Sequence, residues 1–300
     1  MAVMSWKFEV VAGPFGRVTE GPAWDGETLL FTHINGSHIL RYDPRNDNVT
    51  EFRTGTDHAN GLMFDLDGRL YGCEGGARRV VRYEPDGSTT VLADNFAGKR
   101  LNMPNDLAID PHGRIWFTDP YYPGAAGPLS REMGFKELDH DSVYSLIPQD
   151  DGWFVTRATY DTGGPNGLLF SLDYHVLYVA ESCRESWGKR ELRAYPVCDD
   201  GSLGPCTVLH DFGEHRGIDG MCLDTEGNIV ATAGSMRSGP GPMIYVISPS
   251  GDVLATHDTP EDQPTNCTFG GVGLSTLYVT TFEGFLLQAR TEHQGRLLFP

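Results

Sequence analysis

MPNDLAIDPHGRIWFTDP, residues Met103–Pro120, is the stretch whose reading decides the fold. A Pro-Asn pair opens it, an apolar run follows from Leu107 to Ile109, and Asp110-Pro-His-Gly113 makes a tight turn. Arg114 to Thr118 forms a second strand-like run that ends on Asp-Pro. Two short apolar runs punctuated by turn residues predict a β-hairpin. One hairpin says little, but this one recurs.

NGLMFDLDGRLYGCEG (Asn60–Gly75) matches NDLAIDPHGRIWFTDP (Asn105–Pro120) almost position for position. NGLLFSLDYHVLYVAES (Asn166–Ser182) and DGMCLDTEGNIVATAG (Asp219–Gly234) match again. EGPAWDGETLLFTHI (Glu20–Ile34) and NCTFGGVGLSTLYVTT (Asn266–Thr281) are weaker copies. The six copies begin 40, 45, 61, 53 and 47 residues apart. A period of this length, with strands in every unit, predicts an all-β six-bladed β-propeller with four antiparallel strands per blade.

The first blade is expected over 20–53, the second over 60–93, the third over 105–160, the fourth over 166–210 and the fifth over 219–257. The sixth has only three strands after its start, at 266–269, 276–281 and 285–290. The apolar run Phe8–Val11 supplies the missing fourth. Pairing it with blade six closes the ring and covers a sheet edge that would otherwise invite aggregation. The whole chain, 1–300, is thus expected to be one propeller domain.

Composition agrees. Thirty-seven glycines and 19 prolines are scattered through 300 residues, as many short strands and turns require. A formal net charge of −18 argues against a nucleic-acid partner, since phosphate binding needs basic surface. The same acidity serves solubility, or in part holds a cation. No run approaches the roughly 18 apolar residues that cross a bilayer, so no membrane partner is expected. The N-terminal MAVMSWKFEV lacks the charged and apolar regions of a signal peptide. Six cysteines include no CxxC pair, which suits reduced core residues and a cytoplasmic setting.

In a propeller the first strand of each blade lines the central channel, so the first residue of each copy is expected at one mouth. Those residues are Glu20, Asn60, Asn105, Asn166, Asp219 and Asn266, and all carry a side-chain oxygen. Asn and Asp also favour turns for local reasons. That accounts for Asn60 or Asn266 singly, but not for Glu20 or for six oxygens on one axis. Two carboxylates and several amide oxygens make a site for a hard cation, Ca²⁺ or Mg²⁺. Two like charges facing each other are reconciled by such an ion. The second-to-third strand loops return to the same face. Blade three's, residues 119–141, is the longest and carries Tyr121 and Tyr122, so it is expected to form a lid or substrate wall. The blade-four loop near 181–187 and the blade-five loop 234–242 share that face. His33 and His58 flank strand ends there.

EGPAW (Glu20–Trp24), PND with WFTDP (Pro104–Pro120), PNGL (Pro165–Leu168) and IDGM (Ile218–Met221), in order and at blade spacing, resemble the SMP-30/gluconolactonase/luciferin-regenerating-enzyme family, with the bacterial sugar-lactonase branch the closer likeness. The resemblance implies one divalent metal near the channel mouth, held by Glu20, Asn166 and Asp219. Ca²⁺ leads, while Mg²⁺, Mn²⁺, Fe²⁺ or Zn²⁺ also occupy such sites. It implies Asn105 as a substrate contact and Asp219 also as general base. The substrate it implies is a small sugar lactone, opened to the aldonic acid. Animal members carry a substrate-binding Arg where this chain has Met103, which leaves the exact lactone open, with Arg100 or Asn102 as substitutes. No GxSxG elbow supports a serine-hydrolase route. Two other readings fit the same scaffold: a phosphotriesterase-like hydrolase, and a non-catalytic metal-binding or regulatory propeller. The sequence leaves the oligomeric state unknown.

Overall fold

The computed structural model describes residues 5–122, 136–150 and 152–296. They form six four-stranded antiparallel sheets. Ahead of the first lies β1 (Glu9–Ala12). Blade one is β2 (Thr19–Trp24), β3 (Leu29–His33), β4 (His38–Asp43) and β5 (Asn48–Thr54). Blade two is β6 (Ala59–Phe64), β7 (Leu70–Glu74), β8 (Arg79–Tyr83) and β9 (Thr89–Ala93). A small hairpin, β10 (Asn95–Phe96) with β11 (Lys99–Arg100), leads to blade three: β12 (Leu107–Ile109), β13 (Ile115–Asp119), β14 (Ser142–Gln149) and β15 (Gly152–Arg157). Blade four is β16 (Pro165–Phe170), β17 (Val176–Ser182), β18 (Arg190–Pro196) and β19 (Thr207–Asp211). Blade five is β20 (Met221–Leu223), β21 (Ile229–Ser235), β22 (Ser238–Ile247) and β23 (Val253–Asp258). Blade six is β24 (Pro264–Gly270), β25 (Thr276–Thr281) and β26 (Leu286–Arg290), completed by β1. The expected closure by the N-terminal strand is present: β1 pairs antiparallel with β26, Glu9 opposite Gln288.

The first strands touch in the order β2, β6, β12, β16, β20, β24, and β24 returns to β2, so the six-bladed ring is closed. Its core is six apolar wedges, one between each pair of neighbouring blades. Side chains alternate across a strand, so one strand feeds two wedges. On β3, Leu29 and Phe31 pack towards blade six while Leu30 packs towards blade two. Both faces are covered, which is why these strands read as continuous apolar runs. Among the described residues there is no α-helix, only one 3₁₀ turn at Val272–Leu274. None is long and apolar enough to cross a membrane.

One expectation is corrected by register, and one element is additional. The blade-five loop 234–242 is mostly strand: β21 and β22 run on to a tight turn, with Ser235 opposite Ser238. A register shift at Gly234, whose φ is 75°, bends the ladder rather than ending it. The hairpin β10–β11 was not expected, because four residues are too few to show a period.

Candidate metal centre and active site

Four first strands share one device at the same mouth. Register shifts lie between Glu20 and Ala23, Ala59 and Leu62, Pro165 and Leu168, and Pro264 and Cys267. Such a bulge unpairs one residue and re-aims its side chain. The glycine that follows the first residue lets neighbouring strands approach. A Cβ on Gly167 would lie 2.6 Å from the Asp219 carbonyl oxygen, which accepts the Gly167 N–H at 2.8 Å. The same rung joins Gly61 to Asn105 and Gly220 to Thr265.

That rung corrects the sixth mouth position. Gly220 donates to the carbonyl of Thr265, not of Asn266, so Thr265 is the residue equivalent to the other five. Asn266 sits one step deeper, in the register held by glycine in four blades and by Asp106 in blade three. Asp106 and Asn266 come from opposite blades, and the Asn266 amide Nδ2 donates to Asp106 Oδ2 at 3.4 Å. The pair partitions the channel. Beyond it lies an apolar cavity lined by Met63, Leu169, Met221 and Cys267. On the mouth side lies a polar cleft.

The cleft is lined by Glu20, Asn60, Met103, Asn105, Asn166, Asp219 and Thr265, with His58, Tyr122 and Arg184 on its walls. Glu20, Met103, Asn105, Asn166 and Asp219 are thus brought together. Tyr121 is not a wall residue; its neighbour Tyr122 is, buried and fixed by its hydroxyl, which donates to the Gly164 carbonyl at 2.7 Å. His58 lines the cleft and His33 does not. Most of the expected lid, residues 123–135, lies outside the described residues.

Asp219 is held on both oxygens. Asn166 Nδ2 donates to Oδ1 at 2.6 Å, and Arg216 Nη2 donates to Oδ2 at 2.5 Å. Arg216 is itself anchored by donating to the carbonyls of Gly234 and Pro264, each at 3.1 Å. Sequence reading missed Arg216, since a loop arginine three residues before Asp219 carries no mark of its target. It also missed Asp106, although an Asp at a position that is glycine in four copies was a legible signal.

Glu20 is the electrostatic anomaly. Burial first, then the charge of Asp219 and that of Asp106, push its carboxyl well above the usual range. The Gly21 N–H, donating at 2.9 Å, opposes this only in part. Asp106 is pushed up to about 7, again by burial first, with Asp219 adding to it. Among the described residues no lysine or arginine pairs with Glu20. Asn60 Oδ1 is buried with no hydrogen-bond partner. A buried carboxyl without a countercharge and an orphaned amide oxygen fit a hard divalent cation. Among the described residues no group of three or more His, Cys, Asp and Glu side chains is placed to hold a metal ion, so a site here would have to draw on amide oxygens as well.

A family model described as SMP-30/Gluconolactonase/LRE-like region matches residues 18–283. A gluconolactonase of Zymomonas mobilis is 30% identical, covering 97% of this chain and 83% of that protein. A regucalcin of Xenopus laevis is 28% identical over 92% of this chain and 87% of its own length. The solved structure of a gluconolactonase from Xanthomonas campestris superposes with a TM-score of 0.81 at 29% identity, over 96% of this chain and 90% of that one. A luciferin-regenerating enzyme, at 23% identity, shares the fold with a TM-score of 0.76 over 97% of each chain.

Proposed function

The chain belongs to the SMP-30/gluconolactonase/LRE-like family, and on that footing we propose that it hydrolyses a sugar lactone to the aldonic acid with the help of one divalent cation. The observation that carries the reading is Glu20, buried beside Asp219 with no paired lysine or arginine among the described residues, at the mouth that also gathers Asn105 and Asn166. The similarity to gluconolactonases supports the substrate class.

Glu20, Asn166 and Asp219 would hold the cation, Ca²⁺ by the hardness of its donors, with the Asn166 amide turned to present oxygen. Once bound it would supply Lewis acidity toward a lactone carbonyl and acidify a water. Asp219 is the general base: it takes a proton from the attacking water as the water oxygen bonds to the carbonyl carbon. The ring C–O bond then breaks, and the proton passes to the departing ring oxygen, which becomes a hydroxyl. Arg216 keeps Asp219 in one rotamer through that cycle. Asn105 contacts the sugar. Met103 gives the cleft an apolar lining residue. Six unpaired cysteines support a cytoplasmic setting.

The test is pH-stat hydrolysis of a neutral aldonolactone by the protein before and after chelation, with an organophosphate ester as second substrate. The reading expects lactone turnover that stops on chelation and returns with added Ca²⁺ or another divalent ion. Turnover indifferent to complete metal removal refutes the mechanism. A faster organophosphate reaction moves the protein to the phosphotriesterase class.

A further inference from the structure

We propose that Arg184 makes this a site for lactones that carry a carboxylate remote from the reacting carbonyl; the inference rests on the lactonase reading above. Arg184 lines the same cleft as Glu20 and Asp219. Its guanidinium lies over the ring of Tyr122, 4.7 Å from the centroid. Tyr122 is buried and hydrogen-bonded to Gly164, so the platform under the cation is rigid.

Arg184 has no ion-pair partner among the described residues, in a chain of net charge −18. Three other arginines near this face are engaged: Arg216 with Asp219, Arg79 with Glu74, Arg193 with Glu191. Neither Arg100 nor Asn102, close to Met103 in sequence, offers the cleft a free donor. Arg100 is exposed, donates to the Ala77 carbonyl at 2.6 Å and does not line the cleft. Asn102 is fully buried and donates to the carbonyls of Asp119 and His140. The cleft lining also includes the apolar Val18, Ile34, Pro104 and Phe282 alongside the polar His58 and Asn60. A sugar that ends in a neutral hydroxymethyl leaves the Arg184 guanidinium unused. A planar carboxylate accepts its two parallel N–H groups. A phosphate dianion brings a second negative charge that one arginine does not offset, into a cleft that already holds two acids.

The experiment compares kcat/KM on three lactones of one ring type, ending in hydroxymethyl, carboxylate or phosphate, for the wild type, Arg184→Met and Arg184→Lys. The ratio of carboxylate to neutral substrate cancels any difference in folded fraction. It should favour the carboxylate in the wild type and fall about 10- to 100-fold in Arg184→Met, as loss of one charge-assisted pair predicts. The loss should be mainly in KM and partly restored by Lys. Calorimetric binding of the two open-chain products, diacid against monoacid, should show the same loss of preference. An unchanged ratio, a wild type that prefers the neutral lactone, or a better phosphate substrate overturns the proposal while leaving the lactonase reading intact. If no lactone turns over, that reading falls and diacid-over-monoacid binding alone decides the role of Arg184, equal binding refuting it.

Discussion

Glu20→Gln separates the electrostatics of the mouth from its chemistry. In the metal-free protein the Glu20 carboxyl is buried beside Asp219 and Asp106, and no positive charge among the described residues offsets it. Gln keeps its size and its acceptor for the Gly21 N–H but removes the charge. The metal-free variant should therefore be more stable than wild type at pH 7.5, by on the order of 1–3 kcal/mol, the cost of a buried polar group left uncompensated. The pH dependence has a definite sign. Glu20's folded pKa is raised above its unfolded value, so between the two the folded state holds a proton that the unfolded state has released. Metal-free stability then falls as pH rises above about 4.3, and the variant lacks this component. Metal reverses the order. An ion present at 100 times its dissociation constant stabilises the wild type by about 2.7 kcal/mol. For 300 residues an unfolding entropy of about 2.1 cal/mol/K per residue converts this to about 4 °C in Tm. Scanning calorimetry of both proteins, with chelator and with excess Ca²⁺, reads all three effects. Identical metal-free melting temperatures, or a Ca²⁺ shift that survives in Glu20→Gln, would refute the assignment of this carboxyl to a cation.

The remaining expectations are briefer. Asp219→Asn should fold and keep its contact with Asn166 yet lose about 10²- to 10⁴-fold in kcat, the usual contribution of a general base; activity within tenfold of wild type would remove Asp219 from that role. Arg216→Met should cost about 2–4 kcal/mol in urea unfolding, because it strips Asp219 and two carbonyls of their donor at once; a loss under about 0.5 kcal/mol would mean that Arg216 holds nothing. Burial pushes Asp119 up to about 8, so it is a neutral acid at neutral pH. With its folded pKa above the unfolded one, the proton it holds in the fold makes stability fall as pH rises from about 4 to about 8, and Asp119→Asn, which needs no proton, should melt with a flatter profile over that range. Parallel profiles for the two proteins would show that Asp119 is ionised in the fold.

Much of the fold was legible because its signals are local. Turn residues and period-2 alternation act within ten residues, and the hairpin of Met103–Pro120 repeats them six times. The closing strand could be placed because one apolar run was left over and one sheet edge was left open. The oxygen-bearing mouth was legible for the same reason: a residue at the start of a channel-lining strand has only one place to point. The arrangement failed where register carried the information. Asn266 looked like the sixth mouth residue, since the sequence NCTF imitates NGLL, but the chain enters β24 one residue earlier and puts Thr265 there instead.

The sequence by itself thus determined the number of blades, their closure and the set Glu20, Asn105, Asn166 and Asp219, because periodicity and strand position are properties of neighbouring residues. Only the tertiary structure decided that Asn266 and Asp106 meet across the channel, that Tyr122 rather than Tyr121 faces the cleft, that Arg184 lines it, and that Arg216 reaches Asp219. Those side chains come from loops and opposite blades. Their direction depends on bulges, on the path of each loop and on what packs beneath them, and none of these is encoded within a single repeat.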